Sequence, residues 1–192
     1  REAGIVERSD YIVRKIVFSA FKDDWVPANI YLPKPLTSKI PAVLLPCGHS
    51  IAGKSAYWKR AVSLVRNGYV AMTYDLPGAG ERQLTSAESG IVYSTSTQHN
   101  ILGEPMTLAG YTLGWFFVQE TMAAVTYLCG LSEVDNQRIG ITGSSGGGWL
   151  SVHAAAMDER ISVIVPAASV GSRRFDPMPD DSEQIFFDMQ RQ

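Results

Sequence analysis

The chain has 192 residues, of which 45% are hydrophobic and 19% are charged, a composition typical of an ordinary globular protein. With 17 Lys and Arg against 19 Asp and Glu, its net charge of -2 gives no electrostatic reason to expect nucleic acid or an anionic membrane as a partner. No apolar run approaches the roughly 18 residues that a membrane span requires. We therefore expect a single domain over residues 1–192, with no nucleic-acid or membrane partner.

The two cysteines and the first ten residues give little information about the cellular compartment of the protein. Cys47 and Cys129 cannot form a disulfide framework, and each lies in an apolar element, which predicts buried free thiols. The opening residues contain neither an initiator methionine nor an apolar signal core, so the chain looks trimmed at its start. The compartment stays open, with the cytoplasm slightly favoured over secretion or the periplasm.

In chain order, the sequence predicts an antiparallel hairpin and then a parallel sheet. Residues 11–34 read as two strands around the turn residues 22–24, a hairpin at the edge of the sheet. From Pro41 onward, strand and helix signals alternate, which is typical of an α/β fold with a mostly parallel sheet covered by helices on both faces. The predicted strands are 41–47, 69–75, 138–143 and 161–168, and the predicted helices are 55–67, 115–130 and one from Gly146.

Residues 81–114 are predicted to be a long connection. The stretch is polar in its first half and rich in Gly, Ser and Thr, and it is too long for an ordinary loop. It leaves the carboxyl end of a predicted strand, where open parallel sheets place their binding crevices. We expect part of it to cover an active site.

Residues 48–55, GHSIAGKS, fit the phosphate-binding pattern G-x-x-x-x-G-K-[ST]. In that pattern a glycine-rich loop between a strand and a helix directs backbone N–H groups at phosphate oxygens, and the lysine neutralises their charge. The sequence DLPG, residues 75–78, resembles the magnesium-side aspartate loop of a GTPase. A nucleotide-binding protein is therefore one hypothesis for this chain.

A second glycine motif, G-x-S-x-G at residues 143–147, predicts a nucleophile elbow. It follows a short apolar strand and precedes a helix, where flanking glycines allow a turn tight enough to present the hydroxyl of Ser145 to a crevice. Ser144 is the nearest rival nucleophile, but Thr142 stands where its motif would need glycine. The alternative is that residues 143–148 are a flexible loop or a phosphate nest of another kind.

A hydrolase accounts for both glycine loops, whereas a nucleotide-binding protein leaves the second unexplained. In a hydrolase, the backbone N–H of His49 and that of Gly146 would bind the oxyanion, and close backbone approach would require the glycines. About twenty residues separate Lys54 from Asp75, too few for the switch segment of a GTPase, and no N/T-K-x-D motif follows. The sequence favours the hydrolase.

Three segments together, PCGHSIAGK, YDLPGAGER and RIGITGSSGGGW, resemble the acetyl xylan esterase and dienelactone hydrolase-like branch of the α/β-hydrolases. The resemblance runs from about Tyr11 to Ala168. It implies Ser145 as the nucleophile, His49 and Gly146 as oxyanion donors, and hydrolysis of a small-molecule or carbohydrate ester through an acyl-enzyme. We expect no metal or organic cofactor, since no Cys and His cluster has ligand spacing.

The sequence departs from that family where the rest of the catalytic triad should be. The superfamily order is Ser, then Asp or Glu, then His, with the last two on loops after further strands. His153 is the only later histidine, and eight helical residues would carry it roughly 12 Å from Ser145. His99 is interpreted as a loop residue. Three aspartates fall in a polar stretch interpreted as a solvated loop: Asp176, Asp180 and Asp181.

A serine without a base is a poor nucleophile, so three hypotheses stay open. The chain is the first two thirds of the domain, with the last strands, the acid and the histidine on a complementing segment or in a homo-oligomer. Or it is a catalytically inactive binding module of the same fold. In the third, the His49 ring serves as the base. The apolar strand 161–168, which would otherwise be an unpaired edge, favours the first.

Overall fold

A computed structural model describes residues 1–86 and 89–169, and within them the chain forms a seven-stranded sheet. The strands are β1 (Glu2–Glu7), β2 (Tyr11–Phe18), β3 (Val26–Pro33), β4 (Ile40–Pro46), β5 (Val70–Tyr74), β6 (Val134–Ser144) and β7 (Ile161–Ala167). Their spatial order is β1-β2-β3-β5-β4-β6-β7. The pairs from β1 to β5 are antiparallel, and β5, β4, β6 and β7 pair in parallel. The carboxyl ends of these four parallel strands share one edge.

Helices cover both faces of this sheet. They are α1 (Trp58–Arg66), α2 (Thr95–Leu108), α3 (Leu113–Cys129) and α4 (Gly146–Met157), with short 3-10 helices at Gly53–Tyr57 and Gly80–Arg82. Successive strand residues point to opposite faces, so Leu45 packs with α1 while Leu44 packs with α3 and α4. Both leucines are at most 1% exposed. The central strands are therefore buried on both sides, as a parallel sheet between helices requires.

The predicted alternation and the predicted hairpin are confirmed, but the place of the hairpin is wrong. Each predicted strand and helix from Pro41 onward has an observed counterpart that overlaps it. The hairpin is β2 and β3, and it is not at the edge, because β1 pairs with β2 on its outer side. The sequence analysis did not predict β1, because most of its residues are exposed or half-buried and no strong apolar alternation marks it as a strand.

The predicted long connection over residues 81–114 is also wrong, because α2 occupies its second half. Ser94 caps this helix by accepting a hydrogen bond from the Thr97 N–H. The helix contains Pro105 in its last turns and buries mainly polar side chains, so it lacks the apolar stripe by which sequence analysis recognises a helix. His99, interpreted as a loop residue, lies in α2.

Two further observations concern what was expected elsewhere in the chain. The stretch with Asp176, Asp180 and Asp181 lies outside the described residues. Across the described ranges, none of the helices has the length and apolar character needed to cross a membrane.

Candidate active site

Ser145 is the single residue between the end of β6 and the start of α4, and its backbone has a conformation that residues other than glycine rarely adopt. Its φ is 57° and its ψ is -126°, and the residue is exposed. A non-glycine residue in this region costs on the order of 1–3 kcal/mol, so the surrounding structure must hold it. The Ser145 N–H donates to the Ala167 carbonyl of β7, and its carbonyl accepts from the Trp149 N–H, each at 2.9 Å. The turn thus has the strained geometry predicted for residue 145.

Both glycines of the G-x-S-x-G motif are required by close backbone approach. A Cβ atom at Gly143 would collide with the carbonyls of Gly147 and Pro46, and one at Gly147 would collide with the Pro46 carbonyl. The first turn of α4 therefore lies directly against the loop that follows β4. Ser144, the rival nucleophile, is the last residue of β6 and pairs with Ala167 as an ordinary strand residue.

Gly147→Ala is expected to damage stability and activity together. The new methyl group must push the Pro46 carbonyl away, and such overpacking costs about 1–3 kcal/mol in the free energy of unfolding. The same displacement moves the loop that carries His49, so we expect kcat/KM for a carboxylic ester to fall about 100-fold. Urea unfolding and steady-state kinetics on the full chain measure the two effects.

Gly130→Ala is the matched control. Gly130 ends α3 with an ordinary φ of -82°, and a Cβ there would make only contacts of 3.5 Å or more. We expect a change within about 0.5 kcal/mol in the free energy of unfolding and unchanged kinetics. Equal behaviour of the two alanine variants would show that the backbone approach at Gly147 has no consequence.

The loop after β4 brings His49 to Ser145. Its ring nitrogen Nδ1 lies 3.3 Å from the Ser145 Oγ, and His49 and Gly146 line the same narrow cavity beside it. Gly146 is the first residue of α4, so the N-terminal end of that helix and its partial positive charge lie next to the serine. The structure therefore brings together all three residues that the sequence assigned to the site.

Sequence reasoning missed the wall that α2 and the loop after β5 add to this cavity. Thr95 and His99 of α2 and Leu76 and Ala79 of that loop line it, and all four are buried. The His99 ring centroid lies 5.4 Å from that of His49, and its Nε2 lies 3.2 Å from the Pro77 carbonyl oxygen. Residues 81–114 therefore contribute to this cavity through a helix, and not through a loop; that they cover an active site stays a prediction.

Three other reactive side chains were considered in the sequence, and the structure places them as follows. His153 lies on α4 and stacks on Trp149, with ring centroids 4.1 Å apart. Cys47 is fully buried, and burial raises the pKa of its thiol far above its usual value, so this thiol stays protonated. Cys129 is half-buried, and both thiols are free. Among the described residues, no group of three or more His, Cys, Asp or Glu could hold a metal ion.

The lysine of the phosphate-binding pattern is turned inward. Lys54 is 6% exposed and its Nζ pairs with Asp75, which is fully buried, and with Glu81. Although burial favours the neutral amine, the hydrogen bonds to Asp75 and Glu81 raise the pKa of Lys54 above its usual value. The positive charge that a nucleotide phosphate would need is neutralised within the protein, which argues against the nucleotide-binding hypothesis for residues 48–55.

The turn at residues 78–82, GAGER, is held by its arginine. Arg82 donates to the Asp24 carboxylate at 2.7 Å and to the Asp75 carbonyl at 3.1 Å, and it lies 2.8 Å from Oε1 of Glu120 on α3. Burial raises the pKa of Glu120 to about 8, and Arg82 opposes that rise. This cluster fixes the loop after β5 against the hairpin and α3.

Comparison with known sequences identifies one protein family. The sequence model of the family described as Acetyl xylan esterase (AXE1) matches residues 7–171. The chain is 29% identical over 177 residues to a candidate hydrolase of Bacillus subtilis, YtaP, covering 86% of this chain and 55% of that protein. It is 34% identical over 116 residues to the uncharacterized protein YcjY of Escherichia coli, covering 54% of this chain and 37% of that one. The chain thus spans 55% of the length of YtaP and 37% of that of YcjY.

Solved structures show the same fold. A candidate acetyl xylan esterase from Bacteroides fragilis aligns with a TM-score of 0.76 at 16% identity, over 85% of this chain and 46% of its own. An acetyl xylan esterase from Paenibacillus sp. R4 aligns with a TM-score of 0.63 at 22% identity, over 86% and 52%. The methylesterase BT1017 aligns with a TM-score of 0.69 at 22% identity, over 88% and 35%. At these identities the likeness concerns the fold alone.

Proposed function

The chain belongs to the acetyl xylan esterase family, within the α/β-hydrolase fold, and from this we propose that it supplies the nucleophile and the oxyanion hole of a serine hydrolase that cleaves carboxylic esters. The proposal depends above all on the strained backbone of Ser145 at the strand-to-helix turn. The substrates we propose are small-molecule or carbohydrate esters, acetylated sugars among them.

In the proposed reaction, the Ser145 Oγ attacks the ester carbonyl and forms a tetrahedral intermediate. The backbone N–H groups of His49 and Gly146 stabilise the negative oxygen, and removing one such donor costs roughly 3–4 kcal/mol of transition-state stabilisation. The alcohol then leaves, and water hydrolyses the acyl-enzyme to release the acid. The N-terminal end of α4 adds favourable partial charge at the same place.

A base must accept the Oγ proton in this reaction. Two groups of His49, the ring and the backbone N–H, have to be told apart. Its ring lies 3.3 Å from Oγ, while its proposed catalytic group is the backbone N–H. Replacing the side chain keeps that N–H. In the superfamily order, the base is a histidine on a loop after a later strand, and within the described residues the histidine after Ser145 is His153, which faces Trp149.

The function is tested with a panel of p-nitrophenyl esters of increasing acyl length, hydrolysed by the purified full-length protein. We expect turnover, with the highest kcat/KM for acetate, because buried side chains of α2 and of the loop after β5 close the cavity beside Ser145. Magnesium-dependent binding of ATP or GTP, measured in parallel, is expected to be absent. A folded full-length protein that hydrolyses none of these esters would instead support the inactive binding module.

A further inference from the structure

The hydroxyl of Tyr57 binds the backbone of two segments that meet at the proposed site, one residue before His49 and one residue before Ser145. It accepts a hydrogen bond from the Gly48 N–H at 3.1 Å and another from the Ser144 N–H at 3.3 Å. Gly48 directly precedes His49, and Ser144 directly precedes Ser145. One oxygen atom therefore joins the loop that carries one oxyanion donor to the turn that carries the nucleophile.

Tyr57 is well placed to hold this geometry because it is itself fixed. The residue is 6% exposed and packs with Leu45, Ala61 and Val65 between α1 and the sheet. The Arg60 guanidinium lies 4.6 Å from the centroid of its ring. A buried phenol that accepts two backbone N–H groups satisfies donors that burial would otherwise leave unpaired.

The other end of the same loop has a separate anchor. The Asp75 carboxylate accepts from the Lys54 N–H at 2.7 Å and from the Glu81 N–H at 3.0 Å, and it also pairs with the Lys54 Nζ. A Cβ atom at Gly53 or Gly80 would collide with that carboxylate. The loop that carries His49 is thus held at its start by the Tyr57 hydroxyl and at its end by the Asp75 carboxylate.

We propose that the Tyr57 hydroxyl is a positioning group that sets the distance between the His49 N–H and Ser145. This inference rests on the proposed function. The hydroxyl does not touch the substrate and acts through the two backbone segments it joins. Oxyanion donors act mainly on the transition state, so a misplaced donor lowers kcat more than it raises KM.

Tyr57→Phe tests the proposal, with Tyr74→Phe as the matched control. Each variant removes one buried tyrosine hydroxyl that makes a hydrogen bond, but the Tyr74 hydroxyl bonds Thr121 on α3, on the opposite face of the sheet from Tyr57. On p-nitrophenyl acetate, we expect Tyr57→Phe to lower kcat of the full-length protein about 10- to 100-fold with KM within about twofold. Tyr74→Phe should change neither beyond about twofold.

Hydrogen–deuterium exchange provides a readout that needs no activity. Without the hydroxyl, the Gly48 and Ser144 N–H groups lose their acceptor, so peptides covering residues 47–53 and 142–146 should exchange faster in Tyr57→Phe than in Tyr74→Phe. Unchanged exchange in these peptides would overturn the proposal even if the protein hydrolyses no ester. Faster exchange with kcat equal to that of Tyr74→Phe in an active protein would overturn the catalytic part and leave the esterase itself intact.

Discussion

Replacing Ser145 by alanine is expected to lower kcat for carboxylic esters by about 10⁴- to 10⁶-fold in the full-length protein. The reason is that, among the described residues, the two nearest candidates are unsuited to form the acyl-enzyme in its place: Ser144 ends a strand, and the Cys47 thiol is buried and protonated. Steady-state kinetics and the loss of an acyl-enzyme burst measure the effect. Because Ser145 is exposed, its replacement should leave the free energy of unfolding within about 0.5 kcal/mol of the original.

Ser144→Ala is the control for this experiment. It removes the adjacent hydroxyl and keeps the Ser144 N–H that bonds Tyr57. We expect kcat within a few-fold of the original. If Ser144→Ala abolished turnover while Ser145→Ala kept it, the assignment of the nucleophile would be wrong.

Lys54→Met is expected to lower the free energy of unfolding by about 3–5 kcal/mol, the cost of breaking a buried ion pair by removing one partner. The Asp75 side chain is fully buried and that of Lys54 is 7% exposed, so the substitution leaves the carboxylate without its cation. The unfolding midpoint in urea measures this loss. A lysine that served only to bind phosphate would be dispensable for folding.

Lys34→Met is the matched control for the buried pair. The Lys34 side chain is 46% exposed and its partner Glu7 is 65% exposed, at an Nζ to Oε2 distance of 3.0 Å. Exposed pairs contribute about 0–1 kcal/mol, so this variant should unfold close to the original midpoint. Equal unfolding midpoints for the two variants would contradict the role assigned to Lys54.

The sequence predicted those parts of the fold that local patterns determine. β4, β5 and β6 are buried apolar runs bounded by Pro, Gly or polar residues, and their alternation with helices leaves few topologies. The tight turn at Ser145 was predictable because its glycines serve contacts within a few residues of Ser145 and with the adjacent loop. By contrast, α2 buries the polar side chains of Gln98 and His99, and its apolar residues are confined to residues 101–108, around Pro105, so the local pattern marked it only weakly as a helix.

The phosphate-binding pattern shows why the site could be predicted only in part. The spacing of glycines and lysine at residues 48–55 is compatible with either a phosphate or a carboxylate as partner of the lysine. The carboxylate belongs to Asp75, on the next strand's loop, and only the tertiary structure brings it to Lys54. The double hydrogen bond of Tyr57 likewise depends on segments 9 and 87 residues away in sequence.

A covalent label is the most direct test of the claim that Ser145 is an activated nucleophile. The full-length protein is treated with a fluorophosphonate, digested, and the modified peptide is sequenced by mass spectrometry. We expect one adduct, on Ser145, formed stoichiometrically and absent from the Ser145→Ala variant. No adduct in a folded full-length protein, or an adduct confined to another serine, would contradict the account.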